Sequence, residues 1–138
     1  MQNDDLGYLL HHVGSVIDKN SDQVLLERLG VSFAQFKILL ILSEKDGSTQ
    51  NHIATSLGQT EASISRQIKL MNMDGLINIR RSTSNRRLRL IFLSEKGYGQ
   101  MEKAVRALNN YYQPIFDVLD SNEQQALQKA LIKIKNYL

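Results

Sequence analysis

The residues best suited to chemistry lie between positions 60 and 89. Thr60, Ser63, Ser65, Arg66 and Lys69 fall within one short stretch, and arginines follow at 80, 81, 86, 87 and 89. Short hydroxyls and cations of this kind donate hydrogen bonds to phosphate oxygens and base edges. They do not make a reaction centre. The chain has no glycine-rich phosphate loop, its three histidines show no ligand spacing with acids, and no Ser/His/Asp order is present. We therefore expect no enzyme, no metal site and no cofactor.

Two short helical patterns and a hairpin must position those side chains. The first helix starts at Ser48 or Thr49, buries Ile53, Ala54 and Leu57, and stops at Gly58, which is free to take the left-handed backbone that ends helices. The second follows Gln59. In it Ile64, Ile68 and Met71 fall on one stripe at i, i+4 and i+7, completed by Leu76 beyond Gly75. Ala62, Arg66 and Lys69, flanked by Ser63 and Ser65, lie opposite. Arg66 suits a bidentate contact to a guanine edge or a fixed phosphate clamp, Thr60, Ser63 and Ser65 suit shorter contacts, and Lys69 suits a phosphate. Leu70 and Met73 fall on flanks of the outward side. We expect helix rotation or the first helix of the chain to hide them in the core, ahead of a role as a protein-docking site.

After Gly75 the period changes to two. Residues 76–81 and 87–93 alternate or run apolar on either side of Ser82–Arg86, a hairpin with a five-residue loop. An arginine at its tip, with Arg80, Arg86, Arg87 and Arg89 as candidates, suits the narrow, electronegative minor groove beside the second helix. The bland alternative is a solvated edge that uses charge against aggregation.

These residues resemble the MarR family of dimeric bacterial transcription regulators. The resemblance rests on Ser65-Arg66, then Gly75-Leu76-Ile77, then Asn85-Arg86-Arg87, then Leu93-Ser94-Glu95-Lys96-Gly97, and covers roughly residues 29–97. The family pattern there is Ser-Arg, Gly-Leu-Val, a wing Asp-x-Arg and Leu-Thr-x-x-Gly. Asn85 stands where the family has the acid that orients the wing arginine, Arg87 keeps that arginine, and Ser94 replaces the threonine. The resemblance implies a mainly α fold with a small β-hairpin wing (α+β), a winged helix-turn-helix over 32–97 flanked by dimerisation helices at 1–29 and 98–138. It also implies repression or activation of nearby genes, relieved by a small, often aromatic or anionic ligand held between the DNA-binding unit and the dimer helices. His11, Phe36 and Tyr112 are the candidate walls of that cavity, with core packing as the ordinary role of both aromatics.

At 138 residues and 42% hydrophobic, the chain suits one globular domain, or one domain with dimerisation extensions, and can bury a real core. Its formal charge of +3 is unevenly placed: residues 1–46 carry four Lys/Arg against seven Asp/Glu, residues 47–93 seven against two, and residues 94–138 six against five. The positive field belongs to the winged helix, where it steers a polyanion. Without cysteine there is no disulfide and no thiol-based sensing. The start, MQNDDLGYLLHHVG, has acids where a signal peptide needs cations, and no apolar run approaches a membrane span. A cytoplasmic, nucleoid-associated protein without membrane contact is the expectation.

The flanks read as helices. From about Asp4 to Arg28, Leu6, Leu9, Leu10, Val13, Ile17, Val24 and Leu25 recur at mostly helical spacing. His11 and His12 are adjacent, about 100° apart on that helix, so they cannot chelate one metal. Ser32 and Gln35 form a capping box opening a helix that is apolar nearly all round, with Phe33, Phe36, Leu39, Leu40 and Leu42. Ser94 caps another, which continues past Pro114 to about Asp120, kinked there and not ended. Ser121 and Gln124 form a second capping box before a last helix with Leu127, Leu131, Ile134 and Leu138 on one face. So apolar a terminal helix is expected to pack on another subunit.

The expected function is that of a homodimer reading a pseudo-palindromic duplex, with a small-molecule effector. The competing reading is a winged-helix protein-interaction module that no longer reads DNA, with Leu70 and Met73 as docking points.

Overall fold

The computed structural model describes residues 1–138. Helix α1 (Leu6–Leu29) ends at Gly30, and α2 (Phe33–Glu44) opens with the expected capping box. The Ser32 hydroxyl accepts from the Gln35 N–H at 3.0 Å, and the Gln35 side chain accepts from the Ser32 N–H at 3.3 Å. Asp22 reaches across from α1 to accept the Phe33 N–H at 2.8 Å, so one more orphan donor of α2 is satisfied from another element. Helix α2 carries Phe36, Ile38, Leu39 and Leu42 into the core, as its all-round apolar sequence requires.

Thr49 caps α3 (Gln50–Leu57) and Thr60 caps α4 (Glu61–Met73). Ser48, the other candidate start of α3, is fully buried and does something else: its backbone exchanges hydrogen bonds with Ile91 at 3.1 and 2.8 Å, pinning the start of the helix-turn-helix to the wing. The wing is an antiparallel pair, β1 (Ile77–Arg81) and β2 (Arg89–Leu93), in the register Ile77 opposite Leu93 through Arg81 opposite Arg89. Both strands are shorter than the sequence implies. The loop is therefore residues 82–88, not five residues long. Asn85 sets its shape: its Oδ1 accepts the Arg87 N–H at 3.1 Å and its carbonyl accepts the Leu88 N–H at 3.0 Å, while Leu88 O accepts the Ser82 N–H at 2.8 Å.

Ser94 caps α5 (Glu95–Phe116), accepting the Gly97 N–H at 2.9 Å and donating to Gly75 O at 2.5 Å. Lys96 Nζ donates to Asp74 O at 2.7 Å, so the end of α4 and the start of α5 are tied together. Pro114 lies inside α5, as expected, but the helix ends at Phe116 and not near Asp120. The Gln124 amide donates to Phe116 O at 2.7 Å and Leu119 O at 3.3 Å, satisfying carbonyls that the helix end leaves open. With Gln124 so engaged, the capping box of α6 (Ser121–Tyr137) falls one residue earlier than expected. Asp120 and Glu123 form it, and their charges suit a helix N-terminus better than a hydroxyl and an amide.

Helix α1 packs along α5, and α2 lies between them and the helix-turn-helix. The core is one cluster running from Leu25 and Val31 through α2, Ile53, Ile64, Ile68 and Met71 to Ile77, Ile91, Met101, Ala104 and Leu108. It stops short of both ends: α6 has no buried residue, and Leu6, Leu9, Leu10, Val13 and Val16 of α1 are exposed. No helix is long and apolar enough to cross a membrane.

Candidate nucleic-acid interface

Burial of Ile64, Ile68 and Met71 fixes the rotation of α4 and turns Ala62, Ser65, Arg66 and Lys69 outward, where all four are exposed. Thr60 is both cap and candidate contact. Its oxygen accepts the Ser63 N–H at 3.1 Å, which leaves its own O–H proton free to donate elsewhere. Ser63 is half-buried, its hydroxyl 3.5 Å from Gln59 Oε1. Gln50 at the start of α3 donates to Glu61 O at 3.3 Å, bracing the N-terminus of α4.

The hairpin sorts the five arginines by face. In the observed register, Ile79, Arg81, Arg89 and Ile91 share one side of the ribbon. That side meets α4 in a groove lined by Gln50, Ser65, Lys69, Asn72 and Arg89 over a floor of Ile68, Ile79 and Ile91. Arg86 and Arg87 are exposed in the loop. Arg80 is on the other side, its guanidinium 4.9 Å from the centroid of the Phe92 ring. The sequence grouped Arg80 with the DNA-binding residues. The structure separates it, because neighbours in a strand point to opposite faces and Phe92 supplies a cation–π partner of about 0.5–1 kcal/mol. The same alternation brings in Arg81, counted in the sequence but not assigned a role. Gln50 and Asn72, uncharged and outside the motif, carried no signal of their own.

Leu70 and Met73 are not in the core: they are 49% and 78% exposed. Neither the rotation of α4 nor α1 covers them, since the buried stripe already lies on the opposite side of the helix.

The three residues expected to wall a ligand cavity do not come together. Phe36 is packed in the core, His11 is exposed, and the Tyr112 hydroxyl is 3.1 Å from the buried Ser21 hydroxyl. The groove between α1 and α5 is lined instead by His12, Val13, Val16, Ile17, Tyr111 and Ile115. A step of one residue rotates a helical side chain by about 100°, so the neighbours of His11 and Tyr112, and not those residues, face that groove.

A helix-turn-helix whose second helix presents hydroxyls and cations beside a cationic hairpin, with unsatisfied apolar helices at both chain ends, defines a winged-helix DNA-binding regulator. Residues 31–88 match the sequence model of the MarR family. Over those residues the chain is similar to that family of winged helix-turn-helix transcription regulators. It is similar to the HTH-type transcriptional regulator BilQ of Clostridium symbiosum, 24% identical over 79% of this chain and 76% of that one. Among solved structures it resembles the transcriptional repressor CouR bound to a 23-mer DNA duplex, with a TM-score of 0.87 at 24% identity over 98% of both chains. It also resembles CouR of Rhodococcus jostii RHA1 bound to p-coumaroyl-CoA, with a TM-score of 0.82 at 22% identity over 96% of this chain and 92% of that one.

Proposed function

We propose that this chain is a homodimeric, sequence-specific regulator that represses transcription by occupying a pseudo-palindromic duplex. In this reading each subunit places α4 in a major groove, successive recognition helices about 34 Å apart along the duplex, with the wing in the flanking minor groove. Arg66, Ser63, Ser65 and Thr60 contact base edges or phosphate, Lys69 and Arg89 contact phosphate, and Arg86 and Arg87 enter the minor groove. Residues 32–97 act as the reading unit, and residues 1–29 and 98–138 as the arms that pair two copies. The single observation that carries the reading is that Arg66 and Lys69 are exposed on the outward side of α4 while Lys69 and Arg89 line one groove between α4 and the wing, whose loop exposes Arg86 and Arg87.

Ligand control is the second part of the proposal. The p-coumaroyl-CoA complex of CouR supports a small effector here too, and the apolar groove between α1 and α5 lies on the helices that set the distance between the two reading units. An effector shifts DNA occupancy only if it binds one spacing better than the other. A protein with these properties works in the cytoplasm, at the nucleoid.

Fluorescence anisotropy with genomic duplexes at two salt concentrations tests the reading. DNA binding through several phosphates gives a steep fall in affinity with salt, and Arg66→Ala and Arg87→Ala each weaken it. Binding that is flat in salt and indifferent to both changes would instead favour the protein-interaction reading, to which the exposed Leu70 and Met73 lend their only support.

A further inference from the structure

The outward arc of α4 is not uniformly polar. At about 100° per residue, Ala62, Lys69, Leu70 and Met73 all fall within about 60° of Arg66. Leu70 follows Arg66 by one turn, some 6 Å along the axis, which is nearly two base-pair steps of a duplex. An exposed leucine and methionine on this arc lose water only if the arc's partner offers apolar surface of its own. The partner must also accept Arg66 and Lys69, since the helix has one acid, Glu61, and that is in its first turn. An apolar pocket alone, on a second protein, leaves the cations unmet. The major groove meets both demands: phosphates and acceptor atoms surround the thymine C5-methyl, the one apolar group it displays.

We propose that Leu70, with Met73 extending its strip, reads thymine methyl groups within about two base pairs of the Arg66 contact. This rests on the DNA-binding reading above and adds to it a term of sequence selection. The recognition helix then discriminates by two chemistries, hydrogen bonding through Arg66 and methyl contact through Leu70.

The test starts with selection of bound duplexes from a random-sequence library by the full chain. Each thymine of the selected duplex is then replaced by deoxyuridine, which removes the methyl and nothing else. The inference expects one or two positions per half-site at which the replacement weakens binding roughly three- to fivefold, the scale of one buried methyl. It expects that sensitivity to vanish in Leu70→Ala or Met73→Ala, both exposed positions whose change leaves the core intact. Sensitivity that persists unchanged in both variants, a duplex indifferent to every replacement, or a selected half-site without thymine in that window overturns the inference while leaving DNA binding in place. Failure to enrich any duplex overturns the DNA-binding reading itself, and this inference with it.

Discussion

Arg81 lies directly opposite Arg89 across the wing, two guanidinium side chains on the same face of a two-stranded ribbon. Like charges so placed destabilise a hairpin by a few tenths of a kcal/mol up to about 1 kcal/mol. A polyanion seated against that face removes the penalty. Arg81→Glu is therefore expected to raise the melting temperature by a few degrees at most while weakening DNA binding and lowering the salt slope by about one. Thermal melts and anisotropy titrations on the same preparation check both signs.

Two glycines at the start of α5 differ in what surrounds them. A Cβ on Gly97 would run into the backbone carbonyl of Leu76, whereas one on Gly99 would meet nothing within 4 Å. Gly97→Ala forces the wing away from α5 and is expected to destabilise the fold by about 1–3 kcal/mol. Gly99→Ala removes backbone entropy from the unfolded chain and is expected to stabilise by about 0.5–1 kcal/mol. Urea denaturation of the pair gives opposite shifts in midpoint.

Thr60 serves two purposes that substitution separates. Thr60→Ala loses the cap on α4, at a cost of about 1 kcal/mol. Thr60→Asp keeps a capping oxygen, and so keeps stability, but sets a negative charge against phosphate. The expected pattern is a destabilised protein with modestly weakened DNA binding for alanine, and a stable protein with strongly weakened binding for aspartate. Denaturation midpoints and DNA affinity measured together distinguish them.

The exposed apolar faces of α1 and α6 give a prediction about assembly. Leu127 and Leu131 lie a turn apart on α6 and are both exposed in the single chain. Changing both to aspartate is expected to yield a single-chain species in sedimentation. DNA affinity is then expected to fall about a hundredfold or more, because two tethered contacts become one.

The local elements were legible in the sequence because the interactions that set them are local. The Ser32/Gln35 box, the Ser94 cap, the helix stop at Gly58 and the stripe of Ile64, Ile68 and Met71 each depend on residues within about two turns of one another, and all are found in the structure. The outward side of α4 followed from that stripe. The Ser121/Gln124 box was one residue out because Gln124 is drawn to carbonyls at the end of α5, a contact between elements.

What depended on distant partners could not be read this way. Five arginines in ten residues fixed a cationic wing, but only the register of β1 on β2 decided that Arg81 joins Arg89 and that Arg80 turns away to Phe92. His11, Phe36 and Tyr112 were grouped by type, and packing scattered them: Phe36 to the core, Tyr112 to Ser21, His11 to solvent. Leu70 and Met73 read as apolar and hence buried. Their exposure was settled by the limited circumference of a helix whose inner side was already filled. Composition and spacing determined which elements form and which carry charge; the tertiary structure decided which side chains share a surface, because strand alternation and helix rotation convert a shift of one residue into a change of face.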